Sequence, residues 1–469
     1  MEGHYGEMSR SEQELHKQFR REITRLVIPS VLQMVIGNSF SLLNTIMVGR
    51  LGDTAIAVVA ATGQIGFILS MILSAVYGIT AYITQFHGKR DQESVKKAFG
   101  LMLLSSVLVT LTLLIIIMLF RSSLLSLFVN DPQAAAYGVQ YLSVLMVVYL
   151  INSFKDVYGQ ALGAIGRNKL TLVVGLIAMS LNAVLDYALI YGKLGFASYG
   201  IQGAAWATLA ASVLSTLLLL GYVYGKKYYF HITMKELLQS FNLSFAKKIY
   251  ATTLPLILHE GLWSVGNMLY AVAFGYMGVS ALATFQLART FNGYFMMVIF
   301  GFAYAAKVMI GQKLAQDDSR EALIYAKKFT RLSVAASVVV SALILSLNPV
   351  MLRLFSHTSS DVQTALHHIM IIQAAVMSLY FLNNVWIVGM FRAGGDNVYT
   401  MRLIGVTTWV IALPLVFAGA YLFHWPIEVV YFMFAMEEIS KAFIGYFRYR
   451  SKRWANNLIS TMDEEREVA

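Results

Sequence analysis

Apolar residues run through this chain in long blocks, with polar residues gathered between them. A bilayer core of about 30 Å takes roughly 20 apolar residues per helix. Blocks of that length recur near 25–48, 54–79, 97–120, 136–159, 170–192, 200–225, 250–273, 280–309, 329–350, 363–390, 399–423 and 426–447. The pattern predicts an all-α polytopic membrane protein with 12 transmembrane helices. Basic residues mark alternate connections. Arg20, Arg21 and Arg25 precede the first block, Lys89 and Arg90 follow the second, and Lys247 and Lys248 precede the seventh. Arg448 and Arg450 follow the last, while the opposite connections hold little more than Arg50, Arg121, Lys193 and Arg353. The positive-inside rule then places both termini in the cytoplasm of a multi-pass inner (plasma) membrane protein.

The chain repeats itself at long range. Pro29 to Ala57 superimposes without a gap on Pro255 to Ala283, pairing Gly49 with Gly275, Gly52 with Gly278 and Ala55 with Ala281. The phrases AIGRN (Ala164–Asn168) and AGGDN (Ala393–Asn397) also pair, after the fourth and tenth blocks. Six crossings per repeat return each half to the same side. The expected architecture is therefore two parallel six-helix lobes, with the substrate path between them. The expected division is a cytoplasmic tail at 1–24, an N-lobe at 25–225, a cytoplasmic linker at 226–248, a C-lobe at 249–448 and a second tail at 449–469.

Composition agrees with the block pattern. Hydrophobic residues make up 58% and charged residues 13%, and the mean hydropathy is +0.63. A soluble chain would need far more polar surface. The formal net charge of +11 sits in the alternate connections, as topology signals and lipid contacts rather than a nucleic-acid footprint. There are no cysteines, which excludes disulfides and thiolate chemistry. Residues 1–24 lack an apolar core, so no cleavable signal peptide is expected and the first apolar helix serves as its own signal.

Ionisable groups inside the blocks are costly, at about 2.5–3.5 kcal/mol each at mid-bilayer on insertion scales. Glu260 lies about 18 Å along its helix from Lys248. It can exchange a proton or Na⁺ there, or serve as a hydrogen-bonded acid that locks helices together. His259 points about 100° away around the same helix, to tune Glu260 or cap a neighbour. Asn182 and Asp186 stand i, i+4 on one face of the fifth helix, as a cation site or an interhelical clasp. Asn44 lies deep in the first helix, within reach of Asp186 or simply packed. Arg289 is a counter-ion for a buried carboxylate or for an anionic substrate. Lys155 and Asp156 read as structural, and Glu437, Glu438 and Lys441 as an interfacial ion pair near the last helix's cytoplasmic end. The 23 Met, 26 Tyr and 28 Phe suit an adaptable apolar cavity or plain core packing. There is no Walker sequence and no H-E-x-x-H or G-x-S-x-G, so the chain is expected to be no enzyme, with no catalytic residue, metal or cofactor. Any work done comes from an ion gradient, worth about 2.3 kcal/mol per charge and 100 mV.

Several phrases together, in order and spacing, carry a resemblance. They are IPSVLQMVIGNSFSLLNTIMVGRLGDTAIA, NAVLDYALIYGKLGFASYGIQGAAWAT, LPLILHEGLWSVGNMLY, MFRAGGDNVYT and EEISKAFIGYFRYRSKRWANNL. Over essentially all of residues 25–458 the chain resembles the multidrug and toxic compound extrusion (MATE) family, on its bacterial NorM/DinF-like side. The resemblance implies a V-shaped pair of lobes that rock to export cationic amphipathic drugs or metabolites in exchange for H⁺ or Na⁺. It implies cation coupling at Glu260, Asp186 and Asn182, and Asn44 is expected to join them from the first helix. The polar and aromatic residues within the blocks, His259, Trp263, Tyr270, Arg289, Tyr380, Asn383 and Asn384, are expected to line the substrate cavity. The chain departs from the family's pattern at Asn44, commonly Asp, and at Phe381, where many relatives carry a tenth-helix Asp. The expected partners are small organic cations and the lipid bilayer, with no nucleic acid, and the expected state is a monomer. A flippase for lipid-linked saccharide is the alternative on the same fold. It should show a strongly cationic cavity, for which Lys155 and Arg289 are the few candidates. A receptor or scaffold would leave the buried carboxylates and the repeat unexplained.

Overall fold

The computed structural model describes residues 2–49, 51, 53–126, 132–228, 230–239, 242–316, 319–354 and 360–460. Within the first helix the side chains of 2–16 and 40–46 lie outside the described set. The described residues are almost wholly helical. In chain order the helices are α1 (Glu2–Gly49), α2 (Asp53–Val76), α3 (Thr80–Gly88), α4 (Gln92–Ser126), α5 (Pro132–Ala164), α6 (Asn168–Tyr191), α7 (Ile201–Gly225) and α8 (Met234–Gln239). They continue as α9 (Leu243–Tyr276), α10 (Val279–Ala315), α11 (Ser319–Leu354), α12 (Ser360–Asn383), α13 (Asn397–Ile404), α14 (Leu413–Phe417) and α15 (Ile427–Ser451). Nine described segments are long and apolar enough to cross a membrane. The three remaining expected crossings fall on α1, α9 and α15, and the last two carry Glu260 and the Glu437–Glu438–Lys441 cluster.

The chain divides into two compact units, residues 32–253 and residues 1–31 with 254–469. In the first unit Val48, Val58, Leu125, Leu142 and Val148 form the centre of an aliphatic core. The start of α9 belongs to this unit: Tyr250 hydrogen-bonds Ser105, and Tyr82 meets Thr252 at 2.6 Å. The stretch expected to be a linker carries α8, opened by a capping box. Thr233 N and Oγ1 both donate to Glu236 Oε2, and Glu236 N donates back to Thr233 Oγ1. Lys96 Nζ adds a contact at 3.1 Å. The Thr233 backbone N–H, its hydroxyl and Lys96 hold the Glu236 carboxyl down at about 2, from an ordinary 4.5. A depressed carboxyl stabilises the fold above its unfolded value and loses that contribution as pH falls through its folded one. Protection factors of the α8 amides, taken relative to intrinsic exchange at each pH, are therefore expected to be unchanged from pH 7 to 5 and to fall as pH drops from 4.5 towards 2. A loss of protection already complete at pH 5 would contradict the capping role.

In the second unit, Phe19 and Ile23 are buried one helical turn apart on α1. They place an apolar stripe on α11, with Phe19 edge-on to Tyr325 at 5.2 Å and to Phe329 at 5.1 Å. The expected polar tail at 1–24 thus runs into α1 without a break. One core of the unit is rich in aromatics: Phe274 stacks on Phe285 at 4.2 Å, and Phe434 stands edge-on to both Phe285 and Tyr270.

The paired phrases AIGRN and AGGDN make the same turn, one in each unit. Gly166 and Gly395 have φ of +78° and +70°, conformations that favour glycine. Arg167 N and Asp396 N each reach back to a carbonyl five residues earlier, Leu162 O at 2.8 Å and Phe391 O at 2.9 Å. That six-to-one bond ends a helix with its last carbonyls satisfied. The next helices begin at Asn168 and Asn397. In the second unit the turn is also pinned from outside. A Cβ on Gly394 would stand 1.8 Å from the Trp454 carbonyl oxygen, and Asp396 takes Arg448 Nε at 2.6 Å and Nη2 at 2.8 Å.

Candidate functional site

A cavity of about 450 Å³ opens inside the second unit, walled by α9, α10, α12 and its continuation, and α15. Residues Asn384–Phe391 continue α12 as a π-helical stretch. Such wide turns re-aim side chains and gather at functional sites. Here Asn383, Asn384 and Val388 reach the lining. Gly389 lets the stretch close on α10, since a Cβ there would meet Ala306 Cβ at 2.9 Å and Ala303 O at 3.0 Å.

Glu260 stands on the cavity wall. Arg392, from the end of the π-helical stretch, donates Nη2–H to Glu260 Oε1 at 2.9 Å and to His259 Nδ1 at 2.9 Å. His259 Nδ1 also lies 3.5 Å from Glu260 Oε1. One ring nitrogen cannot accept from a guanidinium and donate to a carboxylate at once. The shorter contact decides: His259 is neutral with its proton on Nε2, and the ion pair is Glu260–Arg392. Glu260 keeps 24% of its side chain accessible, so a small cation can reach it from the cavity.

A second cluster lies on α15. Lys441 Nζ sits 2.5 Å from Glu437 Oε1 and 3.0 Å from Glu438 Oε1, with all three residues buried. Tyr270 donates its hydroxyl to Glu437 Oε2 at 2.6 Å, and Asn383 donates to Glu438 Oε2 at 2.8 Å. The expectation of an interfacial pair at the helix end is corrected here. Glu437 lies ten residues past Ile427, about 15 Å along the helix, and the cluster faces the cavity.

Of the residues expected to line a cavity, His259, Trp263, Arg289, Tyr380, Asn383 and Asn384 do so. Tyr270 stands behind the wall as a fully buried support for Glu437. Phe381 is buried in the core, edge-on to Phe302 at 5.9 Å. Arg392, Glu437, Glu438 and Lys441 were not expected at the site. Their positions near the middle or end of apolar blocks were the available signal.

The first unit holds Asn182 and Asp186 on one buried face of α6. Neither carboxylate oxygen of Asp186 has a hydrogen-bond partner among the described residues, and nor has Asn182 Nδ2. A carboxyl so placed is tolerated when a proton or a cation neutralises it. Asn44 falls on α1, but its side chain lies outside the described residues. Lys155 pairs with its neighbour Asp156 at 3.4 Å.

The family model MatE matches residues 29–188 and again 255–418, starting at the two prolines that the internal repeat superimposes. The chain belongs to the MatE family. It is a multi-pass membrane protein of the MATE transporters, which are transporters rather than enzymes. "Probable multidrug resistance protein NorM" of Thermotoga maritima is 21% identical over 458 residues, spanning 96% of each chain. "Multidrug resistance protein NorM" of Vibrio cholerae is 24% identical over 419 residues, 85% of this chain and 87% of that one. A crystal structure of a Vibrio cholerae MATE transporter in the bent form superimposes with a TM-score of 0.84 at 17% identity, covering 94% of this chain and 100% of that one. These likenesses carry the helical architecture of a MATE transporter.

Proposed function

We propose that this MATE protein is a secondary active antiporter. It exports cationic amphipathic drugs or metabolites across the cell membrane, in exchange for H⁺ or Na⁺, by alternating access. Its termini and basic connections face the cytoplasm, as the positive-inside pattern requires. The multidrug resistance named for its Thermotoga and Vibrio relatives supports the cargo class.

The observation that carries the reading is the Glu260–Arg392 pair on the wall of an aromatic-lined cavity. A carboxylate held by a guanidinium is occupied by a built-in cation. A proton or Na⁺ arriving at Glu260 competes with Arg392, and its binding releases that side chain. Arg392 ends the π-helical stretch that carries Asn384 and Val388, so the exchange changes the shape of the cavity as well as its charge. Ion binding and cargo binding thereby become coupled through one residue.

The flippase alternative needs a net cationic cavity. The lining here holds three cations, Arg289, Arg392 and Lys441, against three carboxylates, Glu260, Glu437 and Glu438, which favours the antiporter. The test is efflux of ethidium from proteoliposomes with a pH gradient and a Na⁺ gradient imposed separately. Transport under one gradient is expected. Transport under neither, by protein shown to be folded, would put the flippase first. Asp186→Asn is expected to slow gradient-driven efflux severalfold while leaving ethidium binding unchanged. Unaltered ion dependence in that variant would make Asp186 a structural acid.

A further inference from the structure

A second cavity, of about 790 Å³, shares no lining residue with the one at Glu260. It is a groove between the early turns of α1 and α11, both within the second unit. Two helical stripes wall it. Arg20 opens the stripe on α1, and Ile23 and Val27 carry it on. Lys328 and Arg331 open the stripe on α11, and Leu332 carries it on. The α11 stripe lies in a segment apolar enough to cross a membrane, Arg320–Val350. Phe302 of α10 lines the groove as well, where Gly301 admits α1 so closely that a Cβ there would clash with Val31.

Charge is confined to one end of this groove and has one sign. Three cations line it and no carboxylate does. Lys328 Nζ rests over Phe19 at 5.3 Å and over Tyr325 at 5.8 Å from the ring centroids, which seats it at the mouth. Carboxylates on the same helices lie outside the lining and have other partners: Glu22 accepts from Gln18 at 2.8 Å, and Glu321 pairs with Lys313 at 2.6 Å. Beyond the cations the walls are apolar, and Ile28 at the edge is 54% exposed. From Lys328 to Ala335 the lining runs about 10 Å along the helix. One leaflet of the hydrocarbon core is roughly 15 Å deep. A soluble anion would meet the cations and leave the apolar walls unfilled. A neutral lipid would fill the walls and leave the cations without a counter-charge. The planar fork of an arginine suits a phosphate.

We propose that this groove is a binding site for one anionic phospholipid. Its phosphate is held by Arg20 and Arg331 beside Lys328, and an acyl chain is seated between α1 and α11.

The test is native mass spectrometry of the purified full-length protein in detergent, titrated with dioleoyl phosphatidylglycerol or with dioleoyl phosphatidylcholine. Wild type is expected to bind the first phosphatidylglycerol at least about tenfold more tightly than phosphatidylcholine, the scale of one charge-assisted contact. The double variant Arg20→Gln/Arg331→Gln is expected to equalise the two lipids. Arg25→Gln/Lys327→Gln removes the same charge from exposed positions of the same helices outside the groove, and should keep the preference. Ala335→Phe puts a ring into the groove from an exposed position and should weaken phosphatidylglycerol with the cations intact, which decides the matter if the first variant does not fold. Equal affinities in wild type, or a preference that survives Arg20→Gln/Arg331→Gln, overturn the site. Equal losses in both double variants would reduce it to diffuse attraction by surface charge. Displacement of the lipid by glycerol 3-phosphate at equal concentration would make it a phosphate site and overturn the seat for the chain.

Discussion

Glu260→Gln is expected to reduce gradient-driven dye efflux to the rate of protein-free liposomes, with the protein still inserted and folded. The amide keeps the shape of the acid but carries no exchangeable charge, so neither H⁺ nor Na⁺ has a site to compete for. Loss of the Arg392 partner is a confounding effect, and Arg392→Gln separates the two. Both substitutions break the 2.9 Å ion pair, but only the first removes the carboxylate. If Arg392 acts as a built-in competitor, Arg392→Gln should still couple, at a lower concentration of the driving ion than wild type. Efflux at the wild-type rate by Glu260→Gln would remove this carboxylate from the transport cycle. Loss of coupling in both variants alike would assign the pair a structural role instead.

The largest stability effect is expected at Lys441. Lys441→Met deletes the ammonium shared by Glu437 and Glu438, whose side chains are 7% and 10% exposed. Breaking a buried ion pair from one side costs about 3–5 kcal/mol, because the remaining charge has neither water nor partner. Here two carboxylates are left with neutral donors in place of the ammonium, Tyr270 for Glu437 and Asn383 for Glu438. Thermal unfolding in detergent should show a large loss for Lys441→Met. Glu438→Gln, which removes the excess charge and leaves Lys441 paired with Glu437, should lose much less. Equal midpoints for Lys441→Met and wild type would mean that the cluster is not held by its ion pairs.

Much of this was legible in the sequence because it depends on local pattern. Block length and apolarity specify a membrane helix wherever they occur, and the repeat needs only two prolines and a few glycines in register. Glu260 could be found because a carboxylate inside an apolar block is expensive wherever that block ends up. The same argument applied to Glu437, which lies as deep in its own block. There the neighbouring lysine suggested a solvated i, i+4 pair, an inference that holds only when the helix face is exposed. Tyr270 was expected on the cavity as an aromatic residue inside an apolar block, and it shares a helix with Glu260. Ten residues at 100° each bring it to a different face, where it supports the wall from behind.

Sequence by itself determined the helices, the two-fold repeat and which residues are too costly to be incidental, since each follows from transfer free energy and helical geometry along one stretch of chain. Tertiary structure decided the partners. The pairing of Glu260 with Arg392 joins positions more than a hundred residues apart. The neutral tautomer of His259 follows from that same guanidinium. Charges act through space at a few ångströms, and only the folded chain sets those distances.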